Sequence, residues 1–462
     1  MTTALGGWII AAWAVATTPQ TVTFTETVAP IIYDHCVSCH RPGEAAPFSL
    51  ISYEDVQKRG PMIARVTQSR FMPPWHAAHG YGDFAEQRRL TDQQIAVIGE
   101  WVRAGMPQGD PAKMPKLPVF TPGWQLGMPD LILEMPRGYE VPASGADVYR
   151  NFVFPLNLKE DKWVRAVEFR PSAGKAVHHV LYGYIGAGRA AQVDGIDGQP
   201  GFFGGMAPIG LQQAFGRSGG IGGWALGMTP SFYPGGQAVL LPQGSDLVLQ
   251  THFHPTGKTE NEKSVIGLYF AEKAPELSLF GADLPALFGF GAGIDIPAGE
   301  KNYTISDSLV LRGDVRAFGV TAHAHYIGKE MKATATLPDG SQQPLLWIQD
   351  WDFNWQDTYT FKQPLILPKG TRIDVVIRYD NSADNPRNPS SPPKRVEWGE
   401  QSSDEMGNVT ILFEALRKED EPALASLFSN RTREAIQKGL QNGGLKRLQS
   451  LPRTTPPPAP RP

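Results

Sequence analysis

Cysteine, charge and long apolar runs are all scarce in this sequence, and each shortage excludes something. Two cysteines in 462 residues cannot supply a disulfide framework, so the fold must be held by packing. Charged residues make up 19% and the net charge is -3, a balance that excludes a disordered polyelectrolyte and does not suggest a nucleic-acid surface. The apolar run at residues 5–16 (LGGWIIAAWAVA) is shorter than the ~20 residues of a spanning helix. No stable membrane span is expected once that segment is removed. Glycine (49) and proline (41) are instead plentiful, and their turn chemistry points to β-rich architecture. The length has room for about three ordinary domains.

The apolar run ends in the small-x-small pattern Ala14-Val15-Ala16, which predicts a signal peptide over residues 1–16 and a periplasmic or secreted protein. The usual basic start is missing from Met1-Thr2-Thr3.

Both cysteines fall in Cys36-Val37-Ser38-Cys39-His40, the spacing at which two thiols bond the vinyl groups of one c-type haem and the next imidazole ligates its iron. A redox dithiol or half a zinc site would not require the histidine. Val28, Ile31, Ile32 and His35 recur at helical spacing, with Pro30 early in the helix. A second helix opens on the capping box Thr91-Asp92-Gln93-Gln94, carries Ile95, Ile98 and Val102, and stops at Gly105. Two helices bracketing a haem segment resemble a cytochrome c domain over residues 20–110. In that family the distal iron ligand is usually a loop methionine, a place matched by Met72. Met62, His76 and His79 compete for the role. A proline-rich linker covers residues 111–125.

From residue 126 short apolar runs alternate with turn signals, as in antiparallel sandwiches. Six of the ten histidines lie here, all in pairs: His178-His179, His252-Phe253-His254 and His323-Ala324-His325. Residues two apart on a strand share a face, so each H-x-H pair can clasp one metal ion. An outward polar face of an edge strand is the competing explanation. Adjacent His178 and His179 face opposite ways on a regular strand, so joint binding needs a bulge or a strand end.

The segments Val177-His178-His179-Val180-Leu181, Leu249-Gln250-Thr251-His252, His323-Ala324-His325-Tyr326 and Ser402-Ser403-Asp404-Glu405-Met406-Gly407-Asn408 resemble, in order and approximate spacing, the copper motifs of the ascorbate-dependent type II copper monooxygenases. That family includes the peptidylglycine α-hydroxylating and dopamine β-monooxygenases. The resemblance implies two copper ions in two all-β, jelly-roll-like sandwiches, at residues 126–285 and 286–418, after the small all-α cytochrome domain. It assigns His178, His179 and His252 to an electron-donating copper, and His323, His325 and Met406 to the copper that activates dioxygen; His254 has no role in it. A soft thioether independently favours reduced copper, whereas three imidazoles alone could also hold zinc. Where the peptide-processing member grips a carboxylate with arginine and tyrosine, this chain has Thr321 and Thr410, although Asn408 matches.

The expected activity is hydroxylation of a C–H bond in a small-molecule substrate by O2. Electrons would pass through the haem from an ascorbate-like reductant or a periplasmic redox protein. The alternative is a non-catalytic electron-transfer or copper-binding protein. The glycine-rich residues 201–236 lack a Gly-Lys-Ser/Thr ending and read as a surface loop, not a phosphate loop. Residues 419–462 read as a basic, proline-rich tail with an amphipathic helix near 424–440, either solvated or docked on an acidic redox partner or an anionic membrane surface. Elemental analysis of the purified protein is expected to give about two coppers per chain beside one haem iron; zinc in place of copper would favour a hydrolase.

Overall fold

The computed structural model describes residues 22–442 apart from 43, 45, 121–122, 187, 189–191, 204–220 and 226–227. The expected signal peptide, most of the glycine-rich stretch and the proline-rich end lie outside the described residues. The protein is a multidomain, mostly β structure with a few helices. Its contacts separate into two compact units, Met1–Pro74 with Arg88–Val119, and Trp75–Gln87 with Phe120–Pro462.

The first unit is helical where described. A turn over Phe24–Val28 leads into α1 (Ala29–His35), followed by α2 (Tyr53–Gln57), α3 (Gly60–Gln68) and α4 (Asp92–Arg103). Helix α4 begins on the expected reciprocal cap: Gln94 N donates to Thr91 Oγ1 and Thr91 N donates to Gln94 Oε1. Its buried face is Ile98 and Trp101, so the periodicity found Ile98 but not the tryptophan. The Trp101 indole donates to the Pro107 carbonyl at 3.0 Å and packs against Phe24, which closes the helices on one another. Residues 111–119, expected to be linker, group with this unit.

The second unit begins with a sandwich of β1 (Leu131–Glu134), β2 (Tyr139–Val141), β3 (Val148–Phe154), β4 (Lys162–Arg170), β5 (Val177–Gly186), β6 (Phe202–Phe203), β7 (Gly222–Ala225), β8 (Val239–Leu241), β9 (Ser245–Phe253), β10 (Glu260–Glu262) and β11 (Val265–Phe270). Sheet β1-β11-β4-β8 faces sheet β6-β3-β9-β5-β7 across a core that includes Phe152, Phe169, Leu247, Leu249 and Phe253. Because β9 is the central strand of its sheet, every one of its residues is buried, the outward-facing His252 included. Strands β6 and β7 lie within the stretch expected to be a loop.

The second sandwich holds β12 (Leu279–Leu284), β13 (Asp295–Ile296), β14 (Tyr303–Val310), β15 (Val315–Ala324), β16 (Gly328–Thr336), β17 (Gln342–Ile348), β18 (Thr358–Leu367), β19 (Arg372–Tyr379), β20 (Val396–Glu397) and β21 (Gly407–Ala415). Its facing sheets run β12-β21-β15-β18 and β14-β19-β16-β17. Strand β12 pairs with β21, so this sandwich begins before residue 286. Helix α5 (Glu421–Gln441) packs on it through Leu424 and Leu427, with Phe428 against Phe280 and Phe413. The helix foreseen near 424–440 is therefore part of the body, because its apolar face covers exposed sheet, and it is not a solvated tail. Trp75–Gln87 also belongs here: Phe84 stacks on Phe361 and Trp75 packs edge-on against Tyr359.

The two sandwiches share one side chain in particular. The bulge between Ala317 and Gly319 on β15 turns Phe318 into the core of the first sandwich. Phe318→Ala is expected to destabilise the β unit by about 3–5 kcal/mol in denaturant titration; a loss under about 1 kcal/mol would show that the two cores are independent.

Candidate metal centre

The first cluster depends on one irregularity in a ladder. Val177 pairs with Phe253, but His179, not His178, pairs with His252, so β5 carries one extra residue relative to β9. That bulge is the device the adjacent histidines required. The His178 and His179 Nδ1 atoms lie 3.1 Å apart, and His252 Nδ1 lies 3.3 Å from His179 Nδ1. Nitrogens bound tetrahedrally at 2.0 Å from one ion would stand about 3.3 Å apart. These three residues form the metal-capable group of histidine, cysteine and acidic side chains found among the described residues.

The electrostatics suit a cation. Burial pushes His178 down to about 3, helped by the neighbouring imidazoles, and lowers His179 well below its ordinary value. Burial also lowers His252, against the pull of Asp147. At neutral pH all three rings are uncharged and offer lone pairs, the form that binds metal.

Asp147 orients the cluster and gave no sequence signal. Burial would raise its carboxyl, but hydrogen bonds from His252, Ser402 and His254 hold it well below the usual carboxylate range. His252 Nε2 meets Asp147 Oδ2 at 2.9 Å, which turns His252 Nδ1 toward the other two rings, and His254 Nδ1 meets Oδ1 at 2.8 Å. His254 thus supports the carboxylate, and its own ring is mostly exposed. Tyr149 stacks on His252 with ring centres 4.2 Å apart, and Phe353 stacks on His178 at 4.4 Å.

The second cluster follows strand periodicity. On β15, Val320, Ala322 and Ala324 enter the core, so Thr321 and His323 face outward, and His325 continues the alternation just past the strand end. The two imidazoles stand 5.3 Å apart between centres. His323 Nδ1 meets Gln356 Oε1 at 2.6 Å, and His325 Nδ1 meets the Asp404 carbonyl at 3.2 Å. Both Nε2 atoms are thereby left as the available donors. Burial lowers His323 to about 4 and His325 well below its ordinary value. Met406 is buried and immediately precedes β21, where Gly407 pairs with Ala324; this register sets Met406 opposite His325. Glu405, not foreseen as a site residue, accepts from the backbone N–H groups of His325, Ile327 and Met406 and so fixes the turn that carries His325 and Met406. Burial pushes its carboxyl up to about 8 against those donors.

The two clusters adjoin. The His179 and His323 rings are 6.1 Å apart, and Phe353 packs against both His178 and His325.

In the helical unit, Cys36 caps α1 and His40 N donates to the Cys36 carbonyl at 2.9 Å, so the pentapeptide forms one turn. His40 Nδ1 meets the Phe48 carbonyl at 3.1 Å, which leaves Nε2 as the donor to a metal. Burial pushes the Cys36 thiol up to about 12, with Cys39 adding to the shift, the opposite of a reactive redox thiolate. Met72 sits on the turn after α3 and Met62 within that helix. His76 and His79 belong to Trp75–Gln87, in the β unit.

No family model and no curated protein matches this chain. Among solved structures it is similar to the VP2 subviral particle of infectious bursal disease virus, with 9% identity over 63% of this chain and 74% of that one, at a TM-score of 0.19. It is also similar to PNGF-II, with 11% identity over 62% of this chain and 65% of that one, at a TM-score of 0.25. Likeness this slight carries no argument about function.

Asp147→Asn is expected to weaken metal binding at the three-histidine cluster by about 10–100-fold, measured by chelator competition on folded protein. Unchanged affinity would mean that packing by Tyr149 and Phe353 alone orients His252.

Proposed function

We propose that the protein is a haem- and copper-dependent monooxygenase of the type II copper family, acting in the periplasm or outside the cell. The carrying observation is the convergence of three neutral imidazole Nδ1 atoms beside a second set, His323, His325 and Met406, whose soft sulfur suits reduced copper. His178, His179 and His252 would hold one copper and His323, His325 and Met406 the other, while Cys36, Cys39 and His40 would hold a c-type haem with Met72 as the distal ligand. When bound, copper supplies one-electron chemistry with O2, and the haem supplies a store of electrons. Overall, a substrate C–H bond becomes C–OH, the second oxygen atom leaves as water, and a reductant or redox protein provides two electrons and two protons.

The chain's own groups do the positioning. Asp147 and Gln356 fix which nitrogen of His252 and of His323 faces the metal. Glu405 holds the backbone on which His325 and Met406 sit. Phe353 fills the space between the two sets and excludes water there. Phe288 covers the outer side of His323, with ring centres 5.2 Å apart.

Anaerobic reduction of the fully loaded protein, followed by an O2 pulse in a metabolite mixture, is expected to give copper-dependent haem reoxidation in stopped-flow absorbance. A product heavier by one oxygen should appear in mass spectrometry. Met406→Ala is expected to abolish that product while the three-histidine site keeps its metal. If the protein gives no product with any reductant, and Met406→Ala changes only metal content, it is an electron-transfer or copper-binding protein instead.

A further inference from the structure

The segment that leads from β12 into β13 is built on an unusual backbone. Leu287, Phe288 and Gly289 all adopt positive φ, at 54°, 52° and 80°, and only glycine enters that region without steric cost. A large apolar residue keeps such a conformation where its surroundings leave it no other. The product of this turn is the Phe288 ring, set edge-on to His323 with centres 5.2 Å apart. The turn rests on the start of β21: a methyl at Gly289 would stand 3.0 Å from the carbonyl oxygen of Gly407, the residue after Met406.

Two elements hold the turn in place. The Trp398 indole donates to the Phe288 carbonyl at 3.1 Å, and its ring packs edge-on against Phe290 at 4.7 Å between centres. Trp398 also forms a β-bridge with Glu405, beside Met406. The last turns of α5 press on the same segment. Ala435 and Gly439 are buried and lie four residues apart, so they share one face of the helix. A methyl at Gly439 would overlap the Phe290 ring, and one at Gly291 would stand 2.7 Å from the Ala435 carbonyl oxygen. Neither surface can advance without displacing the other. Leu424 and Phe428 in the core, with Arg431 bonded to Asp307, fix the rest of the helix on the sandwich.

We propose that the end of α5 holds a cover on the second cluster: Gly439 and Phe290 are positioning residues that, through the turn, keep Phe288 on His323 and limit entry of solvent and small solutes there. Among the described residues the rings packed against His323 are those of His179, His325 and Phe288. The first two belong to the histidine sets, so Phe288 is the apolar group of the three. It stands at one end of a chain of contacts that runs from Gly439 to Phe290, then to Trp398 and the strained turn. The cover does not depend on which metal the cluster takes. Its part in the reaction rests on the proposed function, in which a closed site keeps water from the chemistry.

The test reads access directly, in haem-containing protein without copper. Diethyl pyrocarbonate acylates neutral imidazoles, and peptide mass spectrometry gives the rate at each histidine, with the exposed His254 ring as internal reference. In the natural protein His323 is expected to react at least about tenfold more slowly than His254, since it must wait for local opening. Gly439→Ala raises intrinsic helix propensity, so it disturbs the contact and not the helix. It should speed the His323 reaction about fivefold and leave the His254 rate unchanged. Phe288→Ala should speed it at least as much, with the helix intact by circular dichroism. A helix that only stabilises the sandwich would instead lower the denaturation midpoint of Gly439→Ala and leave His323 as slow as before. Should that variant fold poorly, Phe290→Leu loosens the same contact from its other partner and should give the same increase. Equal rates at His323 and His254 in the natural protein, an unchanged His323 rate in Phe288→Ala, or a rate that neither contact variant alters overturns the assignment and leaves the copper reading intact. The expected rates in a protein that takes up no copper overturn the oxygenase reading and keep the cover.

Discussion

The Asp147 carboxylate is the constraint on which the first cluster depends. It lies just before β3, accepts from His252 and His254 at the end of β9, and accepts from Ser402 in the second sandwich. Three donors on one acid fix a ring orientation, a strand end and a loop together. Neutral imidazoles at 3.1–3.3 Å from one another gain little from each other. Their geometry must be imposed from outside, by this carboxylate and by Tyr149 and Phe353 packed on the rings.

The two histidine sets then meet because the sandwiches are not independent. Phe318 leaves its own sheet for the other core, and Gln237 of the first sandwich hydrogen-bonds Glu414 of the second. Both contacts come from the outer face of β15 and β21, which also carries His323 and Asn408. The surface that joins the sandwiches and the surface that presents the second cluster are thus continuous, and their separation is fixed by packing.

Much of this was legible from spacing alone. His323 and His325 share a side because strands have period two, and no tertiary information was needed. The bulge at His178 was legible as a requirement, since two adjacent imidazoles cannot otherwise face one ion, but its partner strand was not. Asp147, Gln356 and Glu405 escaped because single polar residues have no period and acquire meaning only when distant strands pair. Trp101 escaped because an apolar stripe of Ile95, Ile98 and Val102 already satisfied the helix pattern. The region after residue 417 was legible as a helix near its true bounds, yet its composition gave no sign that Leu424 and Phe428 would cover a sheet.

The strap Trp75–Gln87 has a topological consequence. Because this segment interrupts the helical unit between α3 and α4 and belongs to the β unit, the chain passes from one unit to the other three times, after Pro74, after Gln87 and after Val119. A protein assembled by simple fusion would have one such passage, and one cleavage in the proline-rich stretch would separate its parts. Here a single cut near Val119 leaves the two units covalently joined through the strap. The helical unit is therefore not a detachable cassette, and exchanging it for another domain would require rebuilding Phe84 and Trp75 into the second sandwich as well.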